Sequence, residues 1–277
     1  MLRNIISKAS PFTTFASRSM SQAAEKKLSG KVAIITASTE GIGFAIARRL
    51  AQDGAKVVVS SRRGGNVTRA VKELEDEGFT DILGLQCNVA KEKDRVNLIE
   101  QTVAKFGGID ILVSNAAVNP AMGGVLDCPE PVWDKIFDVN VKSAMLISQL
   151  VLPHMRARKG GAIVYVASIG GYHPIDNLGA YSVSKTTLLG LCKAVAQQLA
   201  PDNIRANAIA PGIVKTRFSL PLHGNEEVYK KMLATIPMGR MAEPREMAGL
   251  VSFLVSDDAS YITGENFIAA GGMPSRL

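Results

Sequence analysis

From Lys31 onward the chain repeats one pattern. A short unbroken apolar run is followed by a stretch in which apolar residues return every three or four positions. The runs KVAIIT (31–36), KVVVS (56–60), ILGLQC (82–87), IDILVS (109–114), GAIVYVAS (161–168), IRANAIA (204–210) and ENFIAAGG (265–272) predict strands. The periodic stretches predict helices over 43–54, about 67–77, about 91–106 and 180–199, with a long one after the Pro129–Pro131 region. Strands apolar at every position are buried on both faces of a sheet. Strict alternation of strand and helix gives an α/β fold: one doubly wound parallel sheet with right-handed crossovers. No Pro/Gly/Ser-rich linker interrupts the chain after residue 30 and no solenoid period repeats, so one domain is expected. The expected boundaries are an N-terminal segment over 1–28, a folded domain over 29–274 and a terminal tripeptide over 275–277.

Composition narrows the classes. The chain has 277 residues, 47% of them hydrophobic, enough for a sizeable core. No apolar run approaches the roughly 18 residues of a membrane helix, so no membrane span is expected. The net charge is +7, but lysine and arginine are dispersed and no basic run is interleaved with aromatics. Nucleic acid is therefore not an expected partner. The cysteines, Cys87, Cys128 and Cys192, are odd in number and lack CxxC spacing, which points to reduced thiols used as fillers. His154, His173 and His223 stand outside any ligand spacing, and no metal is expected.

The two ends carry conflicting addresses. Residues 1–24 contain Arg, Lys, Ser and Thr, and the first acid is Glu25. That composition suits a mitochondrial presequence or a disordered tail. The chain closes on Ser275-Arg276-Leu277, a variant of the S-K-L peroxisomal address, which implies an import receptor as partner. Peroxisome is the expected location and mitochondrion the alternative.

Candidate chemistry begins at TASTEGIG (36–43), between the first strand and first helix. Gly41 and Gly43 allow a tight turn, and the helix start offers free N–H groups to a pyrophosphate. Strand, glycine turn and helix together predict a Rossmann-type dinucleotide site. At the end of the second strand, where NAD sites place an acid for the ribose, the sequence has Ser60, Ser61, Arg62 and Arg63. Guanidinium groups suit a 2′-phosphate, so NADPH/NADP is the expected cofactor.

YSVSK (181–185) places Tyr181 and Lys185 one helical turn apart. A phenol with a pKa near 10 exchanges protons poorly at neutral pH, and an adjacent ammonium is expected to lower that value. Tyr181 could then protonate a carbonyl oxygen as hydride reaches the carbon. Ser168, at the end of the fifth strand, could donate to the developing oxyanion. Asn140 is expected to join the network, holding a water that relays protons toward Lys185.

These motifs resemble those of the short-chain dehydrogenase/reductases over nearly all of Lys31–Gly272. The resemblance implies a catalytic tetrad of Asn140, Ser168, Tyr181 and Lys185. Ala37 stands where the family's glycine turn begins with Gly, and SNAA (114–117) replaces NNAG. The resemblance further implies cofactor contacts from Ser38, Thr39, Gly41, Ile42, Gly43, Ser61, Arg62, Arg63, Asn88, Val89, Asn115, Ala116, Tyr181, Lys185, Pro211, Gly212, Ile213 and Thr216. Further stretches, including ASTEGIGFAIARRLAQDGA and the final PSRL, resemble the family's peroxisomal NADPH-dependent carbonyl/retinal reductases. Those enzymes reduce retinal, aromatic ketones and α-dicarbonyls and form homotetramers.

Substrate is expected beyond the strands' carboxyl ends, between 169–179 and 217–232. Ser168, Tyr172, Leu178, Phe218 and Leu222 are candidate contacts, and the sparse charge there favours a lipophilic carbonyl. Helices apolar on more than one face suggest an oligomer. The expected function is NADPH-dependent carbonyl reduction. The alternatives are an NAD(P)-linked alcohol or hydroxysteroid dehydrogenase acting mainly in oxidation, and a non-catalytic dinucleotide sensor.

Overall fold

The structure, a computed structural model, describes residues 26–220 and 225–275. Seven strands form one parallel sheet: β1 (Val32–Ile35), β2 (Lys56–Ser61), β3 (Ile82–Gln86), β4 (Ile111–Ser114), β5 (Gly161–Val166), β6 (Ile204–Pro211) and β7 (Asn266–Ala269). Their order is β3-β2-β1-β4-β5-β6-β7. The chain runs outward from β1 to one edge, returns to β4 and runs outward to the other. The order reverses between β1 and β4, which opens a crevice at the carboxyl ends of those strands.

Helices cover both faces. On one side α1 (Gly41–Gln52), α2 (Gly64–Asp76) and α8 (Pro244–Val255) pack Ala47, Leu50, Leu74, Val251 and Leu254 against Ile35, Val57 and Val113. On the other, α3 (Glu92–Phe106), α5 (Ser143–Ala157) and α6 (Gly179–Leu199) bring Leu98, Ile147, Val151 and Leu188 onto Ile34, Leu112 and Ile163. Cys87 and Cys192 lie in this second core. Burial pushes both thiols up to about 12, which suits fillers rather than nucleophiles.

Four details differ from the sequence pattern. Helix α4 (Glu130–Phe137) runs into α5 through one wider π turn, Asp138–Lys142, so the helix expected as continuous is broken in its winding. The whole Glu130–Ala157 stretch, 28 residues, is long and apolar enough to cross a bilayer by length and composition. Here Ile147, Val151 and Met155 carry its apolar side into the core, as in the core helix of a folded domain. Helices α7 (Glu226–Ala234) and α8 occupy a region where no helix was expected. Leu28, counted with the N-terminal segment, is buried, and its N–H donates to the Asp53 carbonyl at 2.9 Å. The fold therefore begins before residue 29.

Candidate active site

The turn after β1 is built by close approach. Gly41 sits at φ +60, in the left-handed region where glycine carries no Cβ penalty. A Cβ on Gly43 would lie 2.5 Å from Asn115 Nδ2 and 2.6 Å from the Ala37 carbonyl oxygen. Asn115 Nδ2 donates to the Thr36 and Ala37 carbonyls, each at 3.0 Å, and so ties β4 to the turn. Ala37 itself adopts φ +51, a conformation that costs a non-glycine residue roughly 1–2 kcal/mol. The substitution thus keeps the shape of the turn at a strain cost. Ser38 is wholly buried. Its Oγ donates to the Ile35 carbonyl at 2.7 Å and accepts from Ser60 N–H at 3.0 Å. It therefore fastens the turn from inside, and neither Ser38 nor Gly43 lines the cavities described below.

Two cavities meet at this turn. The first, about 320 Å³, is lined by Ser168, Tyr181 and Lys185 together with Gly41, Ile42, Asn115, Pro211, Gly212, Ile213 and Thr216. Its apolar wall comes from Met122, Ile175, Leu178 and Phe218. The second, about 330 Å³, is lined by Thr39, Ser61, Arg62, Arg63, Asn88, Val89 and Ala116. Ala37, Glu40, Arg217 and Phe218 line both. Glu40 is the one carboxylate among the described residues of the second cavity, so no acid from the end of β2 enters it. These groups fit a phosphorylated dinucleotide: Gly41 in the turn at the cavity wall, an open helix start and two guanidinium groups at the end of β2.

Ser168, Tyr181 and Lys185 converge from β5 and α6. Ser168 follows β5 in extended backbone, and its Oγ accepts from Gly170 N–H at 3.1 Å. The backbone of Gly171 presses on α6: an added Cβ would meet the Lys185 carbonyl carbon at 2.9 Å. Tyr181 lies on the same helix, near enough to Ser168 for its hydroxyl to favour the ionised phenol. Lys185 Nζ donates to the Val166 carbonyl at 2.7 Å and stands 5.5 Å from the centroid of the Tyr181 ring. The Phe218 ring lies over Tyr181, centroids 5.6 Å apart.

Electrostatics depart from expectation. Burial pushes Tyr181 up to about 12, and the Ser168 hydrogen bond only partly offsets it. Burial lowers Lys185 to about 7. Two groups only a turn apart were expected to favour the phenolate. Within the protein alone desolvation outweighs their attraction, because both are buried and the lysine sheds much of its own charge near neutrality.

Asn140 sits in the π turn, buried and facing away from the cavity. Its Oδ1 accepts from Val118 N–H at 2.8 Å, and its Nδ2 donates to the Val118 carbonyl at 3.1 Å and Ser184 Oγ at 3.0 Å. Ser184 Oγ donates in turn to the Tyr181 carbonyl at 2.6 Å. Asn140 therefore positions the loop after β4 and the first turn of α6 through its side chain. Asn88 Oδ1 is likewise engaged, accepting from Ala90 N–H at 3.2 Å.

Among the expected substrate contacts, Leu178 and Phe218 line the first cavity beside Ser168, while Tyr172 does not. Leu222 lies outside the described residues. Ile175, from the same loop as Tyr172, takes the wall, because the turn Ile169–Gly171 rotates the loop there. Met122 and Asn119 were missed: no regular element marks the 117–127 segment that carries them. No group of three or more His, Cys, Asp or Glu among the described residues could hold a metal.

Comparison with known proteins agrees with this geometry. A family model described as enoyl-(acyl carrier protein) reductase matches residues 36–274. Human dehydrogenase/reductase SDR family member 4 is 54% identical over 250 residues, 90% of this chain and 90% of the relative. The chain belongs to the short-chain dehydrogenase/reductase family. Human dehydrogenase/reductase SDR family member 2, mitochondrial, is 51% identical over 251 residues, 90% of this chain and 88% of its own. Among solved structures of the family, a 7α-hydroxysteroid dehydrogenase complexed with NADH and 7-oxo glycochenodeoxycholic acid superposes with a TM-score of 0.85 at 32% identity. That match covers 91% of this chain and 98% of the other. A structure assigned as an NAD(P)-dependent gluconate 5-dehydrogenase from Beutenbergia cavernae, with bound NADP at low occupancy, gives 0.84 at 32% identity over 90% and 98%. As a short-chain dehydrogenase/reductase the protein is an oxidoreductase, and these two structural relatives hold NADH and NADP.

Proposed function

We propose that the protein reduces lipophilic carbonyls, of the retinal, aromatic ketone and α-dicarbonyl kind, to alcohols with NADPH. The observation that carries this reading is the meeting of Tyr181, Ser168 and Lys185 with an apolar cavity that joins an arginine-bearing one. NADPH supplies the hydride when bound. The chain's own residues bind, orient and move the proton. Arg62 or Arg63 holds the 2′-phosphate, with Ser61 beside them. Met122, Ile175, Leu178 and Phe218 exclude water from the carbonyl and accept its apolar part.

A phenol near 12 is fully protonated at neutral pH and enters the reaction as a donor. That suits reduction, in which Tyr181 gives its proton to the carbonyl oxygen while Ser168 donates a hydrogen bond to it. Lys185, when protonated, favours the phenolate left behind and recharges it from solvent. Asn140 keeps the loop and the helix turn in register through Val118 and Ser184.

The remaining assignments rest on sequence. Ser275-Arg276-Leu277 is read as an address for the peroxisomal import receptor. The alternative is mitochondrial entry through the N-terminal segment, and one relative carries that location in its name. A homotetramer is proposed, with Phe137, Val141, Met145 and Leu191 of the α4–α6 groove at a subunit contact.

The test is a fluorescence titration with NADPH and NADH, followed by single turnover against retinal, aromatic ketones and diketones. Preference for NADPH and oxidation of the bound nucleotide by the carbonyls are expected. Equal affinity for both nucleotides would remove the role of Arg62 and Arg63. Tight binding without turnover on any carbonyl would favour a dinucleotide sensor.

A further inference from the structure

We propose that Arg217 is a pyrophosphate-binding residue of the cleft and that Glu40 competes with the pyrophosphate for its guanidinium. The proposal rests on the dinucleotide reading of the two cavities and adds to it a residue contributed from outside the glycine turn. Arg62 and Arg63 line only the second cavity, and Lys185 lines only the first. Arg217 is the one cation among the described residues that lines both. A dinucleotide running from the arginines at the end of β2 to Tyr181 must pass this junction, and its midpoint is the pyrophosphate.

The backbone of Arg217 is fixed while its side chain is free to reach. Thr216 N–H donates to Ser219 Oγ at 3.1 Å, and Ser219 Oγ donates to the Val214 carbonyl at 2.6 Å. The Arg217 side chain is 69% exposed and faces Glu40 Oε2 at 4.0 Å, itself 51% exposed. Glu40 precedes the first turn of α1, yet its side chain accepts no hydrogen bond from that helix. A carboxylate at a helix start is favoured by the dipole, but it repels a phosphate bound at the same place. An exposed pair at this distance is weak, whereas a guanidinium on a phosphate makes short, paired, charge-assisted bonds. Arg217 therefore has a cheap partner to leave and a stronger one to take.

Glu40 and the pyrophosphate compete for one cation, so substitutions at the two positions act in opposite directions. Both NADH and NADPH contain the pyrophosphate, whereas only NADPH has the 2′-phosphate. Dissociation constants for the two nucleotides are measured by fluorescence at low and at roughly 0.5 M salt. Arg217→Gln should weaken both by the same factor, about tenfold, as expected for losing one charge-assisted contact. Arg217→Lys should lose less, and Glu40→Gln should tighten both by about threefold, with each effect shrinking in salt. The melting temperature without nucleotide should stay within about 1 °C of wild type for every variant, since the pair is exposed. Unchanged affinity in Arg217→Gln, a loss confined to NADPH, or weaker binding in Glu40→Gln would each overturn the proposal. A wild-type protein that binds neither nucleotide would instead remove the reading of the cavities themselves.

Discussion

Lys185→Met separates what this lysine does for chemistry from what it does to stability. The side chain is 2% exposed, and burial lowers it from 10.5 to about 7. The folded state therefore holds the proton less tightly than the unfolded chain. Above pH 10.5 both states are neutral and the shift has no effect. As pH falls from 10.5 to 7 the unfolded chain gains a proton that the folded state resists, and stability is lost progressively; below 7 the penalty is constant. Integrating the two titrations gives about 4 kcal/mol at pH 7 and about 2 kcal/mol at pH 9. The Nζ bond to the Val166 carbonyl offsets about 1 kcal/mol of this. Replacing the lysine with methionine, a side chain of similar length, should stabilise the nucleotide-free protein at pH 7 by about 3 kcal/mol, or roughly 6 °C in melting temperature. The gain should fall by more than half at pH 9. Calorimetry of both proteins from pH 6.5 to 9.5 reads this directly. The same variant should lose both NADPH affinity and turnover. A variant that is less stable than wild type by the same amount at every pH would show that Lys185 is an ordinary structural hydrogen-bond donor.

Two further substitutions test the frame around the site. Gly43→Ala forces a methyl group to within 2.6 Å of the Ala37 carbonyl, where backbone cannot move aside. Urea unfolding should show a loss of about 1–3 kcal/mol, with nucleotide affinity falling alongside; a neutral effect on both would refute the close packing of turn and β4. Arg205→Ala removes guanidinium bonds to the Leu254 and Ser256 carbonyls at the end of α8, at 2.7 and 3.0 Å, and to the Ile262 carbonyl farther along, at 3.3 Å. A loss of about 2–4 kcal/mol is expected by the same measurement, and a change below about 0.5 kcal/mol would show that water replaces the arginine freely.

The sheet was legible because most of its strands carry unbroken apolar runs, such as Val32–Ile35 and Val57–Val59, a pattern that buried parallel strands share with few alternatives. The π turn was not, since the apolar residues on either side of Asp138–Lys142 keep a helical period through it. That turn aims Asn140 at Val118 and Ser184. Helix α8 was passed over although its start carries a signal: Glu243 and Glu246 form a capping box around Pro244, and an apolar run follows. The spacing of Tyr181 and Lys185 was plain, but spacing cannot say whether attraction or desolvation wins. That balance depends on β5, Gly171 and Phe218 closing around both side chains. Ser38 and Tyr172 stand off the cavity walls for a local reason. A turn or a short 3-10 helix rotates neighbouring side chains to opposite sides, so adjacency to a motif does not fix which of them reaches the cavity.

On the proposed mechanism Tyr181 delivers the proton, and the cleft binds its nucleotide independently of that proton. Tyr181→Phe keeps the ring beside Phe218 and removes only the hydroxyl. Stopped-flow single turnover with pre-bound NADPH and a saturating aromatic ketone measures the step itself. Nucleotide affinity should stay within about twofold of wild type, and the rate of nucleotide oxidation should fall by at least about 100-fold. A variant that oxidises NADPH at the wild-type rate would contradict that mechanism.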